Sequence, residues 1–127
     1  MSQGKQSSKV SANLEKNRLH VTLVETITKR DASSLYTEIR FCVADLKPGF
    51  DVITDLTRCR IAHISGLPSF VKVREFLLAK EVGTIVRIVR KGKLILKQFQ
   101  RITGNKSGYN IVYVSTLQEA EEALRQH

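Results

Sequence analysis

A chain of 127 residues, 42% apolar and 26% charged, has the size and balance of one domain with its own core. Two cysteines without CxxC spacing exclude a disulfide scaffold and argue against a zinc site or any other metal centre, and no stretch approaches the ~20 apolar residues of a membrane span. The net charge of +9 is uneven: Gly83 to Thr116 holds no Asp or Glu and carries Arg87, Arg90, Lys91, Lys93, Lys97, Arg101 and Lys106.

Residues 1–8 are small and polar, and are expected to form a disordered arm ahead of a single domain over 9–127. The arm lacks the apolar run of a secretory leader, so the expected compartment is the cytoplasm. KVSANLE alternates Val10, Ala12 and Leu14 with polar residues, a period of two that predicts a strand. After a turn at Lys16 and Asn17, the β-branched run RLHVTLVETI completes a hairpin. Asp31 is the expected cap of a helix with Leu35, Ile39, Cys42, Val43 and Leu46 on one face, stopped by Lys47, Pro48 and Gly49.

FDVITDL predicts a short buried strand, and TRCRIAHISG a loop. LPSFVKVREFLLAKEV predicts a helix with Leu67, Phe70, Val71, Val73, Phe76, Leu77 and Val82 inward, ended by Gly83. TIVRIVR is a nearly continuous apolar strand, the pattern of a strand covered on both faces. LILKQFQRITG predicts a helix, with Leu94, Leu96 and Phe99 on the sheet and Gly104 at its end. NKSG is a turn and YNIVYV a strand. In STLQEAEEALRQ, Ser115 or Thr116 caps a last helix, with Leu117, Ala120 and Leu124 inward. The order β-β-α-β-α-β-α-β-α predicts an α/β domain: a mixed, mainly parallel sheet, an N-terminal hairpin and about four helices.

The element order and the stretch DLTRCRIAHISG resemble the STAS domain family, which includes the bacterial anti-sigma-factor antagonists. The resemblance spans about Lys9 to Gln126. Family members read D-[LF]-[ST]-x-[VL]-x-x-[IM]-D-S-[ST]-G at this place. Asp55, Leu56, Thr57, Cys59, Ala62, Ser65 and Gly66 fall on that frame, while His63 and Ile64 replace the second Asp and the Ser after it. Glu25-Thr-Ile-Thr stands where many members carry Gly-Glu-Leu-Asp. The resemblance implies a non-enzymatic regulatory module that binds a protein partner, a kinase or an anti-sigma-type protein, and whose switch is a phosphoserine. By position the acceptor is Ser65, and the partner surface includes Thr57, Arg58, Arg60, His63 and Gly66.

The residues themselves give Ser65 two compatible readings. It caps the helix that follows, or it accepts a phosphate at that helix start. Gly66 keeps a side chain away from an approaching partner, and Thr54 and Thr57 are rival acceptors. The alternative to the regulatory module is a binder of an anionic ligand (nucleic acid, a phosphorylated small molecule or a lipid) through Arg87, Arg90, Lys93, Lys97 and Arg101. The scarcity of aromatics there, Phe99 and Tyr109 with Tyr113 beyond, argues against nucleic acid. No P-loop spacing or metal-ligand cluster appears, and a His and a Ser two residues apart do not make a catalytic pair, so no enzyme and no cofactor are expected. A homodimer stays open.

Overall fold

A computed structural model describes residues 8–103 and 110–125. The expected arm (but for Ser8), Gly104, the NKSG turn, Lys106 and Tyr109 lie outside the described residues. The elements are β1 (Lys9–Asn13), β2 (Arg18–Ile27), α1 (Lys29–Val43), β3 (Asp51–Ala62), a 3-10 turn (Ile64–Gly66), α2 (Leu67–Ala79), β4 (Thr84–Ile88), α3 (Leu94–Thr103), β5 (Asn110–Val114) and α4 (Leu117–Arg125). They form the expected α/β architecture. The sheet runs β1-β2-β3-β4-β5, with β1 antiparallel to β2 and every other pair parallel.

Each sheet face has its own core. Helices α1, α2 and α3 cover one face, where Leu19, Leu23, Ile27, Phe50, Leu56 and Ile95 are almost fully buried. Helix α4 covers the other face, with Ala120 and Leu124 on Ile53, Val86 and Ile88. Strand β4 lies between both layers, and all five of its residues are buried, as its apolar run predicts. Among the described residues, no helix is long and apolar enough to cross a membrane.

Several local expectations give way to capping and edge effects. Thr28, not Asp31, caps α1; its hydroxyl accepts from Asp31 N (3.1 Å) and the Asp31 carboxylate accepts from Thr28 N (2.9 Å). Asp31 is therefore the third helical residue, completing a capping box. The helix stops at Val43, and α2 stops at Ala79 because Glu81 turns left-handed (φ 60°). Thr116 caps α4: it accepts from Glu119 N at 3.1 Å, and Glu119 accepts from Thr116 N at 3.2 Å. Leu14, Leu94 and Leu117 are 61%, 53% and 55% exposed, so none packs as its periodicity suggests. All three sit in a turn or at a helix start, where an element has not yet reached the sheet.

On the α4 side, Arg18 of β2 is 9% exposed and pairs with Glu121 of α4 at 2.6 Å. This contact joins the hairpin to the last helix. Burial pushes the Glu121 carboxyl up, but the Arg18 hydrogen bond and charge, with Lys16 and His20, hold it below its ordinary value. Burial, with the Arg18 charge, lowers neighbouring His20.

Candidate functional site

Strand β3 is longer than its sequence suggests and carries the stretch DLTRCRIA to the site. Leu56, Cys59 and Ala62 are all buried in the same core, a spacing of three that no regular strand produces. Two register shifts against β2 cause it. Thr22 and Val24 pair with Asp55 and Arg58, and Glu25 and Thr26 with Cys59 and Ile61, so β3 gains one residue at each. Each extra residue turns the next side chain to the other face. Arg58 and Arg60 therefore stand on a strand rather than a loop, and both are exposed. Burial raises the Cys59 thiol to about 11, so it stays a protonated core residue.

Glu25 lies at the second bulge with φ 60°, in the left-handed region. It occupies the place where the family pattern has Gly, and glycine adopts this backbone without steric cost. The glutamate holds it at a cost of about 1–3 kcal/mol that neighbouring pairs must offset. One such pair is close: His63 N donates to Ile27 O at 2.7 Å. On the other side of Ala62, the Gln98 amide accepts from Ala62 N and donates to Ala62 O, both at 2.9 Å. Gln98 thus completes the end of β3 as an adjacent strand would. Sequence reasoning passed over it, although a polar residue between buried Ile95 and Phe99 was the available signal.

Beyond these anchors the chain turns through His63, Ile64, Ser65 and Gly66. Ser65 is not the cap of α2. That position belongs to Gly66, which offers no side-chain bond, and Pro68 lies in the first turn. The cap of the 3-10 turn is His63, whose Nδ1 accepts from Ser65 N at 3.2 Å. The Ser65 hydroxyl lies 2.7 Å from the same Nδ1. With the proton on Nε2, Nδ1 accepts from both donors. His63, Ile64 and Ser65 are exposed, Ile64 at 74%, a large apolar side chain beside a hydroxyl.

Gly66 serves the interior rather than a partner surface. It is buried, and a Cβ there would stand 3.1 Å from Ala32 Cβ and 3.4 Å from Thr28 O. The turn is thereby seated on the start of α1. Of the rival hydroxyls, Thr54 is buried at 8% exposure. Thr57 is exposed, but its hydroxyl and N–H are both held by Asp55 Oδ1, at 2.6 and 2.9 Å.

The basic region divides. Arg90, Lys93, Lys97 and Arg101 are exposed, the last three at intervals of four along and just before α3. Arg87 does not join them. It is 8% exposed, donates to the Tyr113 hydroxyl at 2.8 Å, and lies over the rings of Phe99 and Tyr113 at 5.2 and 5.7 Å. Its place on β4 alternates with Val86 and Ile88, which face α4, so it points beneath the opposite helices.

No protein-family model matches the chain, and no curated protein matches it in sequence. Solved structures do match its fold. One is an uncharacterized protein of the DUF3478 family with a SpoIIAA-like fold, from Shewanella loihica PV-4; it is 15% identical over 98% of both chains, with a TM-score of 0.74. Another is the anti-sigma factor antagonist SpoIIAA in its unphosphorylated form, 14% identical over 95% of this chain and 100% of that one, with a TM-score of 0.67. The chain therefore has the STAS-like, SpoIIAA-like fold that its element order suggests.

Proposed function

We propose that the chain is a non-enzymatic regulatory module that binds a protein partner at the end of β3 and is switched by phosphorylation of Ser65. The observation that carries this reading is the state of the serine. Its hydroxyl is exposed, does no capping work for α2, and lies beside His63 and the protruding Ile64. A partner that covers Ile64 gains apolar burial. A phosphate on the adjacent hydroxyl adds about −1.5 to −2 charges to that contact and opposes desolvation. His63, whose Nδ1 lies 2.7 Å from the Ser65 hydroxyl, brings a hydrogen-bonding group to the modified turn.

The likeness to an anti-sigma factor antagonist supports a partner of the kinase or anti-sigma type. His63 and Ile64, in place of Asp and Ser, suit a partner surface that is less basic and more apolar than one built for the common pattern. The cytoplasm is the compartment where such a partner would be met. Phosphorylation is read directly by mass spectrometry of the protein isolated from its native cells. Phosphate mapped to Ser65, and lost in Ser65→Ala without any change in thermal stability, is the expected result. A Ser65 that stays unmodified in every growth phase and stress removes the switch.

A further inference from the structure

The outer face of α3 carries a row of like charges that the fold does not need. Lys93 stands just before the helix, and Lys97 and Arg101 follow at intervals of four, so the three side chains line one face over about 12 Å. All three are exposed. The opposite face is spent on the sheet, where Ile95 is 0% and Phe99 7% exposed. Like charges four residues apart weaken a helix. No Asp or Glu lies between Gly83 and Thr116 to relieve them.

Two further features shape this face. The chain makes a tight turn from Arg90 to Lys93, where Lys93 N donates to Arg90 O at 3.4 Å and Gly92 has φ +80°, the backbone a type II turn demands of its third residue. That turn sets Arg90 and Lys91, both exposed, at the start of the helix. Among these cations Leu94 is 53% exposed. It precedes Lys97 by three residues and Arg101 by seven, so it lies on the charged face rather than on the sheet.

We propose that this face docks an acidic segment of a partner polypeptide, a helix that presents Asp or Glu at the same spacing of four around one apolar residue. Each cation then meets a counter-charge where it now meets another cation. Leu94 gains an apolar contact and loses water. A nucleic-acid backbone offers Leu94 nothing, and the described face has no exposed ring on which a base could stack. A lipid bilayer would receive one apolar side chain only, because Ile95, Leu96 and Phe99 pack inward, whereas an interfacial helix inserts a whole apolar face. This surface lies on α3 rather than on the turn at Ser65, and it does not depend on modification of that serine.

The test is a calorimetric titration of the full chain at low and at physiological ionic strength. The probes are an Ala-rich helical peptide with three glutamates four residues apart and one leucine among them, the same peptide with Gln for Glu, a DNA duplex of random sequence, and phosphatidylserine vesicles. The acidic peptide is expected to bind, more weakly as salt rises, and the Gln peptide not to bind. At physiological ionic strength the duplex and the vesicles should bind more weakly than the acidic peptide. The double variant Lys97→Gln/Arg101→Gln should weaken the acidic peptide at least tenfold, and Leu94→Ser severalfold. All three positions are exposed, so the variants keep the core. Lys9→Gln/Lys16→Gln, which removes the same charge from exposed positions on the hairpin, should bind like wild type. Failure of the acidic peptide to bind at low salt overturns the proposal. So does an unmoved affinity in Lys97→Gln/Arg101→Gln or Leu94→Ser, an equal loss in Lys9→Gln/Lys16→Gln, or tighter binding of duplex or vesicles at physiological ionic strength.

Discussion

Gly83→Ala is expected to destabilise the domain by about 1–3 kcal/mol, the usual range for overpacking a well-packed site. The cause is two backbone carbonyls and one carboxylate that a hydrogen bond holds in place. A Cβ at position 83 would stand 2.6 Å from Gly49 O, 2.8 Å from Asp51 Oδ1 and 3.2 Å from Phe50 O. None of these can swing aside freely. Gly83 N already donates to Phe50 O at 2.6 Å, and Asp51 Oδ1 accepts from Thr84 N at 2.9 Å. Phe50 itself is 1% exposed. The starts of β3 and β4 are therefore clamped together through a point where only hydrogen fits. Urea unfolding should show a lower midpoint with an unchanged slope. Gly66→Ala is the comparison; its closest contact is the Ala32 methyl group rather than a carbonyl, and it should cost less. A midpoint for Gly83→Ala equal to that of wild type would mean that β3 and β4 separate at this point.

Glu121→Ala is expected to cost about 2 kcal/mol at neutral pH, because it leaves the Arg18 guanidinium buried without its carboxylate. Removal of one partner from a fully buried pair costs ~3–5 kcal/mol. The Glu121 side chain is 32% exposed, which lowers the figure. Arg18 Nε, already buried with no hydrogen-bond partner among the described residues, leaves little slack. The effect should depend on pH. The folded carboxyl titrates below its ordinary value, so its contribution is complete above the unfolded value of 4.5 and fades as pH falls through the folded one. Wild type and variant should therefore converge in stability in strong acid. Thermal melts at pH 7 and in steps downward from 4.5 read this directly, and a constant gap at every pH would contradict it.

Periodicity made the element order legible, since strands and helices here bury the faces that their apolar spacing marks. The end of β3 was not legible. Arg58 and Arg60 look like loop residues, and the spacing of Leu56, Cys59 and Ala62 fits neither strand nor helix without knowledge of the two bulges. Those bulges are set by pairing with β2, which is a tertiary fact. Arg87 misled for a related reason. Its place in a basic run suggested the surface, while strand alternation put it inside, against Tyr113. The cap bond expected of Ser65 is not the one it makes. Proximity in sequence to Pro68 suggested a cap for α2, whereas the inserted 3-10 turn hands the capping to His63.

The most direct test of the regulatory reading is a pull-down from native cell lysate with wild type and Ser65→Glu as parallel baits, each first shown to be folded. A kinase-like or sigma-regulating protein held by wild type and lost with Ser65→Glu is the predicted result. Identical retention by both baits, or retention by neither, would contradict the claim that the turn at His63–Gly66 is a phosphorylation-switched contact.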